Sequence, residues 1–118
     1  MIKSIGVDLV ELDRITKIGV DRFAERILSP KERELFSTIT NDTRKLTFLA
    51  GRFAGKEAIF KCFKTGDKTA NYKDFEILND SNGAPYIESK FIKDLISHIT
   101  ITHTDYHAIA FVILESLE

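Results

Sequence analysis

The sequence predicts an α+β protein. Helical patterns gather in the first half of the chain, and most strand patterns follow residue 66, although one strand pattern opens the chain. This segregation of helices from strands is typical of α+β domains. A chain of 118 residues has the length of a single domain, so one domain over residues 1–118 is expected.

A strand pattern opens the chain. Residues 2–12 alternate, so that Ile5, Val7 and Leu9 share one face while Asp8 lies on the other. Aspartate is depleted in strands, and Asp8 interrupts a run that otherwise looks buried. Its ordinary explanation is a cap at a strand end or a charge on the solvent face.

Helical patterns come next. Two short helices are predicted over about residues 13–19 and 20–28. Ser29 and Pro30 mark the start of a third helix, because serine is a favoured N-cap and proline fits the first helical position. The longest predicted helix covers residues 42–64, which lack proline and repeat apolar residues at helical spacing.

The second half carries the remaining strands. One strand is predicted within residues 73–80, and a return strand within residues 84–88 follows a turn rich in Asp, Asn and Gly. Residues 96–103 alternate apolar and polar side chains. Residues 108–114 form a nearly continuous apolar run, which is suited to a strand buried on both faces. The short segment between these two strands predicts a hairpin loop.

Glu57 interrupts the apolar stripe of the long helix. At about 100° per residue, that stripe contains Leu46, Leu49, Ala50, Phe53 and Phe60. A carboxylate there is costly unless it is paired or bound to a metal. The ordinary explanation is an ion pair with Lys61, one turn further on, worth about 0.2–0.5 kcal/mol.

Asp8, Glu57 and Lys61 together fit a more specific interpretation. Mg²⁺ takes one or two protein carboxylates and fills its octahedron with water and phosphate oxygens. A nearby lysine would then neutralise phosphate charge as a mobile point charge. The three residues therefore favour a Mg²⁺ site that holds a phosphorylated ligand, if the two carboxylates meet in the fold.

Composition argues against several classes of function. The net charge of −1 disfavours a general nucleic-acid binder, which would be strongly basic. The single cysteine, Cys62, excludes an internal disulfide and a multi-thiolate zinc site. The opening residues do not read as a signal peptide, and the longest apolar run is too short to span a bilayer. A cytoplasmic protein with neither nucleic acid nor membrane as partner is expected.

Two further groups are candidates for binding. His103 ends a strand pattern between two threonines, a cluster that could grip an anion, although a polar strand end is often only a loop start. Arg14, Arg22 and Arg26 are interleaved with apolar residues. This pattern is usually the solvated face of an amphipathic helix. The alternative is docking of an acidic helical partner, with Phe23 as its apolar anchor.

Three segments together resemble the bacterial holo-[acyl-carrier-protein] synthases, the short 4′-phosphopantetheinyl transferases. The segments are GVDLVELDRI, FLAGRFAGKEAIFK and ITITHTDYHAIAFVIL, in that order. The combination of G-x-D near residue 8 with F-x-x-K-E-A-x-x-K is highly specific. The resemblance implies that family's α+β fold, a mainly antiparallel sheet packed against a long central helix and shorter helices. It also implies transfer of 4′-phosphopantetheine from coenzyme A to a serine of apo-acyl carrier protein, with release of adenosine 3′,5′-bisphosphate.

The resemblance implies roles for individual residues as well. The Mg²⁺ ligands map to Asp8 and Glu57, and the catalytic set adds Lys61. The implied coenzyme-binding positions are Lys61, Gly66, Gly83, Pro85, His103 and Thr104. Lys64 departs from the family, which often has glycine there, and it could add a phosphate contact or alter the geometry of the loop. Acyl carrier protein would be received by Arg14, Arg22, Phe23 and Arg26. The family also forms homotrimers whose active sites lie between neighbouring subunits.

Two other functions remain open from the residues alone. A Mg²⁺-dependent nuclease could use Asp, Glu and Lys, but its familiar arrangement places the acid and the lysine two apart on a strand. Here Glu57 and Lys61 are four apart on a predicted helix. The other alternative is a small oligomeric binding module without enzymatic activity, in which the Glu57–Lys61 pair is only structural.

Overall fold

The computed structural model describes residues 1–63 and 71–117. Its elements confirm the predicted α+β class. The first half contains β1 (Ile2–Glu11), α1 (Leu12–Ile18), α2 (Val20–Ile27), α3 (Pro30–Ser37) and α4 (Asp42–Cys62). A 3-10 helix (Tyr72–Asp74) then precedes β2 (Glu76–Asn79), β3 (Pro85–Glu88), β4 (Leu95–His103) and β5 (His107–Ser116).

Local side-chain caps explain where α3 and α4 begin. The Ser29 hydroxyl accepts the backbone N–H of Glu32 at 3.2 Å, and the Glu32 carboxylate accepts that of Ser29 at 2.9 Å. This reciprocal pair is a capping box. At the start of α4, the Asn41 side chain accepts the backbone N–H of Arg44 at 3.0 Å. Both predicted helix starts are confirmed.

The strands form two antiparallel sheets. One sheet has three strands in the order β1-β5-β4, and the other pairs β2 with β3. The predicted hairpin between β4 and β5 is confirmed, and the Thr104 N–H closes it by donating to the His107 carbonyl at 2.8 Å. Among the described elements, no helix is both long and apolar enough to cross a membrane.

Within residues 1–63 and 71–117, the three-stranded sheet is covered on one face only. Helix α4 packs against the inner face, where the core-facing residues of β5 are Ala108, Ala110, Val112 and Leu114. On the other face, Ile109 and Phe111 are 38% and 37% exposed. The prediction that β5 is buried on both faces is therefore wrong within one chain, because no element in the described ranges covers the outer face.

Candidate active site

Strand β1 and helix α4 approach each other closely beside Asp8 and Glu57. A Cβ added at Gly6 would lie 2.1 Å from the backbone oxygen of Ala58, so this contact requires a residue without a side chain. Gly6 and Asp8 share one face of β1, because strand side chains alternate. Glu57 immediately precedes Ala58 in α4. The contact therefore brings both predicted carboxylates to one junction between strand and helix.

Lys61 reaches from α4 across to β1. Its Nζ donates to Asp8 Oδ1 at 2.8 Å and to the Val7 carbonyl oxygen at 3.0 Å. The ordinary alternative, an ion pair between Lys61 and Glu57, does not form, because β1 lies within reach and supplies two acceptors. The Asp8 side chain is only 16% exposed at this contact, so its charge is partly shielded from solvent.

Glu57 has another partner, the phenol of Tyr72. The Tyr72 hydroxyl donates to Glu57 Oε1 at 2.6 Å. Burial first, and then the neighbouring Glu57 carboxylate, raise the pKa of Tyr72 to about 12. The positive charge of Arg14 lowers this pKa and the negative charge of Asp8 raises it. The phenol is thus a protonated donor at neutral pH, and Asp8, Glu57 and Arg14 all lie near it.

Lys56, the residue before Glu57, holds the backbone of Tyr72. Its buried Nζ donates to the carbonyl oxygens of Tyr72 and Ile27 at 2.8 and 2.7 Å, and also to the buried carboxylate of Glu32. Burial lowers the pKa of Lys56, and the charge of Glu32 opposes this effect. Glu32 also accepts a backbone N–H from β2. This network ties α2, α3, the 3-10 helix and β2 to α4 beneath the junction.

The donor set at the junction suits Mg²⁺. Across residues 1–63 and 71–117, no group of three or more His, Cys, Asp or Glu side chains could hold a metal ion. Asp8 and Glu57 nevertheless provide two carboxylates at the junction, the number that Mg²⁺ commonly takes from protein when a ligand phosphate completes its shell. The residues present fit that ion together with a phosphorylated ligand.

A cavity of about 230 Å³ lies beside the first half of α4. Its lining brings together three of the predicted coenzyme-binding positions, Gly83, Pro85 and His103. Thr104 follows His103 but uses its hydroxyl within the hairpin turn, where it accepts the N–H groups of Tyr106 and His107. Two other predicted positions, Lys64 and Gly66, lie outside the residues that the structure describes.

Arg52 is a buried cation on the wall of this cavity. Its Nε donates to the Ile77 carbonyl at 3.1 Å, and its Nη2 donates to Asn79 Oδ1 at 2.8 Å. The guanidinium lies over the Phe48 ring, 4.2 Å from its centroid. Burial lowers the pKa of Arg52 to about 10, although Glu32 opposes this, so the group stays charged at neutral pH. The cavity therefore suits an anionic ligand.

The sequence analysis did not predict Arg44 and Arg52 at the cavity or Tyr72 at the β1–α4 junction. Arg44 and Arg52 line the cavity with Phe48 between them, and this four-residue spacing places all three on one side of α4. That spacing could have revealed the pair of cations. Tyr72 offered no comparable signal, because its position beside Glu57 depends on the path of the chain after α4.

Comparison with known proteins identifies the family. The profile of the 4′-phosphopantetheinyl transferase superfamily matches residues 4–112. The chain belongs to this superfamily. The predicted family membership and the predicted phosphopantetheinyl transferase fold are both confirmed.

Similar proteins cover essentially the whole of this phosphopantetheinyl transferase chain. A holo-[acyl-carrier-protein] synthase of Acholeplasma laidlawii (strain PG-8A) is 61% identical over 116 residues, which is 98% of each chain. One from Onion yellows phytoplasma (strain OY-M) is 46% identical over 121 residues, covering 98% of this chain and 95% of the relative. The crystal structure of a holo-(acyl-carrier-protein) synthase from Bacillus anthracis str. Ames, in complex with CoA (3′,5′-ADP), has a TM-score of 0.89, 41% identity and 98% coverage of both chains.

The basic helices of this transferase carry the predicted cations but not the predicted apolar anchor. Arg14, Arg22 and Arg26 are exposed. Phe23 is only 5% exposed and packs edge-on against Phe53, with 4.8 Å between ring centroids. Its assignment as an exposed docking anchor is wrong, because it lies on the face of α2 that packs into the core.

Proposed function

We propose that this protein is a holo-[acyl-carrier-protein] synthase. It transfers 4′-phosphopantetheine from coenzyme A to a serine of apo-acyl carrier protein and releases adenosine 3′,5′-bisphosphate. The observation that carries this proposal is the convergence of Asp8, Glu57 and Lys61 at the β1–α4 junction of a phosphopantetheinyl transferase chain. Relatives of the same length bear this name, and one was crystallised with CoA (3′,5′-ADP).

The proposed Mg²⁺ ligands are Asp8 and Glu57. When bound, Mg²⁺ would offset negative charge on the pyrophosphate of coenzyme A. Lys61 keeps the Asp8 carboxylate at the junction through its 2.8 Å contact. Since much of the Lys61 side chain is exposed, its ammonium group is also available to support the charge of the departing bisphosphate.

The reaction replaces the phosphoanhydride bond of coenzyme A with a phosphodiester bond to serine. The serine hydroxyl of the carrier attacks the phosphorus that bears pantetheine, the new P–O bond forms, and the bond to the adenosine bisphosphate oxygen breaks. The serine proton passes to an acceptor at the junction, for which the Glu57 carboxylate is one candidate. The chain itself contributes chiefly positioning and electrostatic stabilisation, as in phosphoryl transfer generally.

The cavity beside the first half of α4 is proposed to hold the nucleotide part of coenzyme A. Arg44 and Arg52 supply positive charge there, and His103 lies on the same lining. Gly83 and Pro85 also line this cavity, and the resemblance assigns them to the adenine end. Lys64, Gly66 and Thr104 stay predicted coenzyme contacts.

The acidic carrier protein is proposed to dock on α1 and α2. Arg14, Arg22 and Arg26 are exposed there and would steer an acidic partner toward the junction. Arg14 lies near enough to lower the pKa of Tyr72, so the docking surface borders the carboxylate site. Docking there would therefore present the carrier serine close to Glu57.

The outer sheet face is proposed to join three copies into a homotrimer with active sites between subunits. Ile5, Val7 and Leu9 of β1 are each more than half exposed, and they lie beside Ile109 and Phe111 of β5. Contiguous exposed apolar side chains of this kind mark interaction surfaces. Contact with neighbouring copies of the chain would bury these exposed side chains of the outer sheet face. The cytoplasm stays the predicted compartment.

Mass spectrometry of the carrier tests the proposed activity. The protein is incubated with apo-acyl carrier protein, coenzyme A and Mg²⁺, and the carrier should gain the mass of one phosphopantetheine as adenosine 3′,5′-bisphosphate appears. Asp8→Asn and Glu57→Gln should each slow this gain by about 100-fold or more. Glu34→Gln, at an exposed carboxylate of α3, is the matched control and should leave the rate unchanged.

The same experiment separates the alternatives. Failure of the wild-type protein to change the carrier mass would overturn the proposed activity. Cleavage of added nucleic acid would then favour the nuclease, and neither reaction would favour the binding module. Full turnover by Asp8→Asn or Glu57→Gln would retain the activity but contradict the proposed metal site.

A further inference from the structure

Tyr72 carries a hydroxyl that its packing does not require. Its ring lies between Phe53 and Phe60 of α4, at centroid distances of 5.6 and 5.3 Å. A phenylalanine would fill the same space between these rings. A partly buried hydroxyl is unfavourable unless it is hydrogen-bonded, and here its bond is with Glu57.

The backbone of Tyr72 is fixed independently of its ring. Lys56 Nζ donates to the Tyr72 carbonyl at 2.8 Å. The 3-10 helix that begins at Tyr72 is capped by Asn71, whose side chain accepts the Lys73 N–H at 3.0 Å while its own N–H donates to Asp74 Oδ2 at 2.8 Å. Two consecutive residues of α4 therefore hold this tyrosine, Lys56 at its carbonyl and Glu57 at its hydroxyl.

We propose that Tyr72 is a positioning residue for the metal site, where its hydroxyl holds the Glu57 carboxylate in the orientation that binds the ion. The inference rests on the proposed function, since it needs Glu57 as a ligand. A glutamate side chain has several rotatable bonds, and ordering it costs conformational freedom when an ion binds. The hydrogen bond to Oε1 imposes that order beforehand. Mutation of a residue that hydrogen-bonds a metal ligand in this way commonly weakens metal binding by about 10–100-fold.

The charges around the hydroxyl agree with this role. The negative charge of Asp8 raises the pKa of the Tyr72 phenol, and the positive charge of Arg14 lowers it. The hydroxyl therefore lies near β1 and α1 as well as α4. Lys61 is engaged by Asp8 and by the Val7 carbonyl. Within the described part of the chain, the tyrosine hydroxyl is therefore the side-chain donor that orients Glu57, while the lysine orients Asp8.

Direct metal binding provides the test. Mn²⁺ serves as the probe, and its binding to the protein–coenzyme A complex is followed by water-proton relaxation, with the signal from coenzyme A alone subtracted. No carrier protein is added, so no turnover occurs. Tyr72→Phe should raise the Kd for Mn²⁺ by about 10-fold. Tyr106→Phe, which removes an exposed phenol elsewhere in the chain, is the matched control and should leave the Kd unchanged.

A double variant separates positioning from a general structural effect. If Tyr72 acts through Glu57, adding Tyr72→Phe to Glu57→Gln should not weaken the residual Mn²⁺ binding further. In turnover assays, Tyr72→Phe should raise the Mg²⁺ concentration for half-maximal rate by about 10-fold while leaving the KM for carrier protein unchanged. Because the ring is retained, the thermal unfolding midpoint should stay near that of the wild type.

The positioning role of Tyr72 and the metal site can be contradicted separately. If Glu57→Gln loses Mn²⁺ binding but Tyr72→Phe binds with wild-type affinity, the positioning role is overturned and the metal site stands. The positioning role is also overturned if Tyr72→Phe weakens Mn²⁺ binding as much in the Glu57→Gln variant as in the wild type. The effect of the tyrosine would then not pass through Glu57. If Glu57→Gln itself binds Mn²⁺ as the wild type does, the proposed metal site fails, and the role of Tyr72 fails with it.

Discussion

The ammonium group of Lys56 and the carboxylate of Glu32 meet in the interior, with neither side chain exposed to solvent. The pair is fully hydrogen-bonded: the lysine also reaches two carbonyl oxygens, and the carboxylate also accepts two backbone N–H groups. Within the described residues, no buried side-chain nitrogen or oxygen lacks a hydrogen-bond partner. Such a pair is sensitive to the loss of one member, because the remaining charge is then buried alone.

Lys56→Met should therefore lower the free energy of unfolding by about 3–5 kcal/mol. The substitution keeps an unbranched side chain of similar length but leaves the Glu32 carboxylate without its cation. It also removes the donor to the Tyr72 and Ile27 carbonyls. Urea unfolding of wild type and variant at the same protein concentration measures the difference.

The matched control for this prediction is Lys31→Met. Lys31 is exposed and pairs with Glu88 at 3.8 Å, so its replacement should change the unfolding free energy by less than about 1 kcal/mol. A Lys56→Met variant as stable as Lys31→Met would contradict the role of the buried pair. A Lys56→Met/Glu32→Leu double variant should be more stable than Lys56→Met alone, because no uncompensated charge remains.

Local signals explain what the sequence could predict. The starts of α3 and α4 depend on the side chains of Ser29 and Asn41, which act within a few residues. Asp8 and Glu57 were recognisable because each carboxylate broke an apolar pattern within its own element. That β1 and α4 bring them to one junction could be anticipated only through the family resemblance, since periodicity within one element carries no information about its neighbour.

Partners across the fold explain what the sequence could not predict. Lys61 had an available acid one turn away in Glu57, yet it pairs with Asp8, which is distant in sequence but near in space. Phe23 sits among arginines in the sequence, but the face of α2 on which it lies packs against Phe53. The error for Phe23 arose because helical spacing fixes relative directions around a helix but not which face meets the core.

Arg44→Ala should raise the KM for coenzyme A by roughly 10-fold, the lower end of the effect expected for a hydrogen bond to a charged group. Arg44 lines the proposed coenzyme cavity, where its guanidinium would pair with phosphate. Steady-state rates at varied coenzyme A concentration, with saturating carrier protein, measure the change. The effect should shrink as salt is added, because the side chain is exposed.

The adjacent cation provides the control for Arg44. Lys45 has its Nζ over the Phe36 ring, 5.5 Å from the centroid, and it is not among the residues that line the cavity. Lys45→Ala removes the same charge one position away and should leave the KM for coenzyme A within about 2-fold of wild type. Equal effects of the two substitutions would indicate a general loss of positive charge and contradict a specific site.

Arg14→Ala combined with Arg22→Ala should mainly raise the KM for acyl carrier protein, by about 10-fold or more at low salt. Both side chains are exposed, so their removal should not disturb the core. Arg33→Ala is the control, because Arg33 is an exposed arginine of α3 that approaches Glu25 at 3.8 Å and lies outside the proposed docking residues. A change confined to the KM for coenzyme A would contradict docking on α1 and α2.

Val7→Glu should dissociate the proposed trimer. Val7 lies between Ile5 and Leu9 on the outer sheet face and pairs across the strands with Phe111, so assembly would bury the new carboxylate in an apolar contact without a partner. Light scattering after size-exclusion chromatography should give three times the chain mass of 13.4 kDa for the wild type and a single chain mass for the variant. Lys31→Glu also introduces a carboxylate, but on α3, and should leave the trimer intact. A wild-type protein that elutes as one chain would contradict the assembly, and active sites shared between subunits with it.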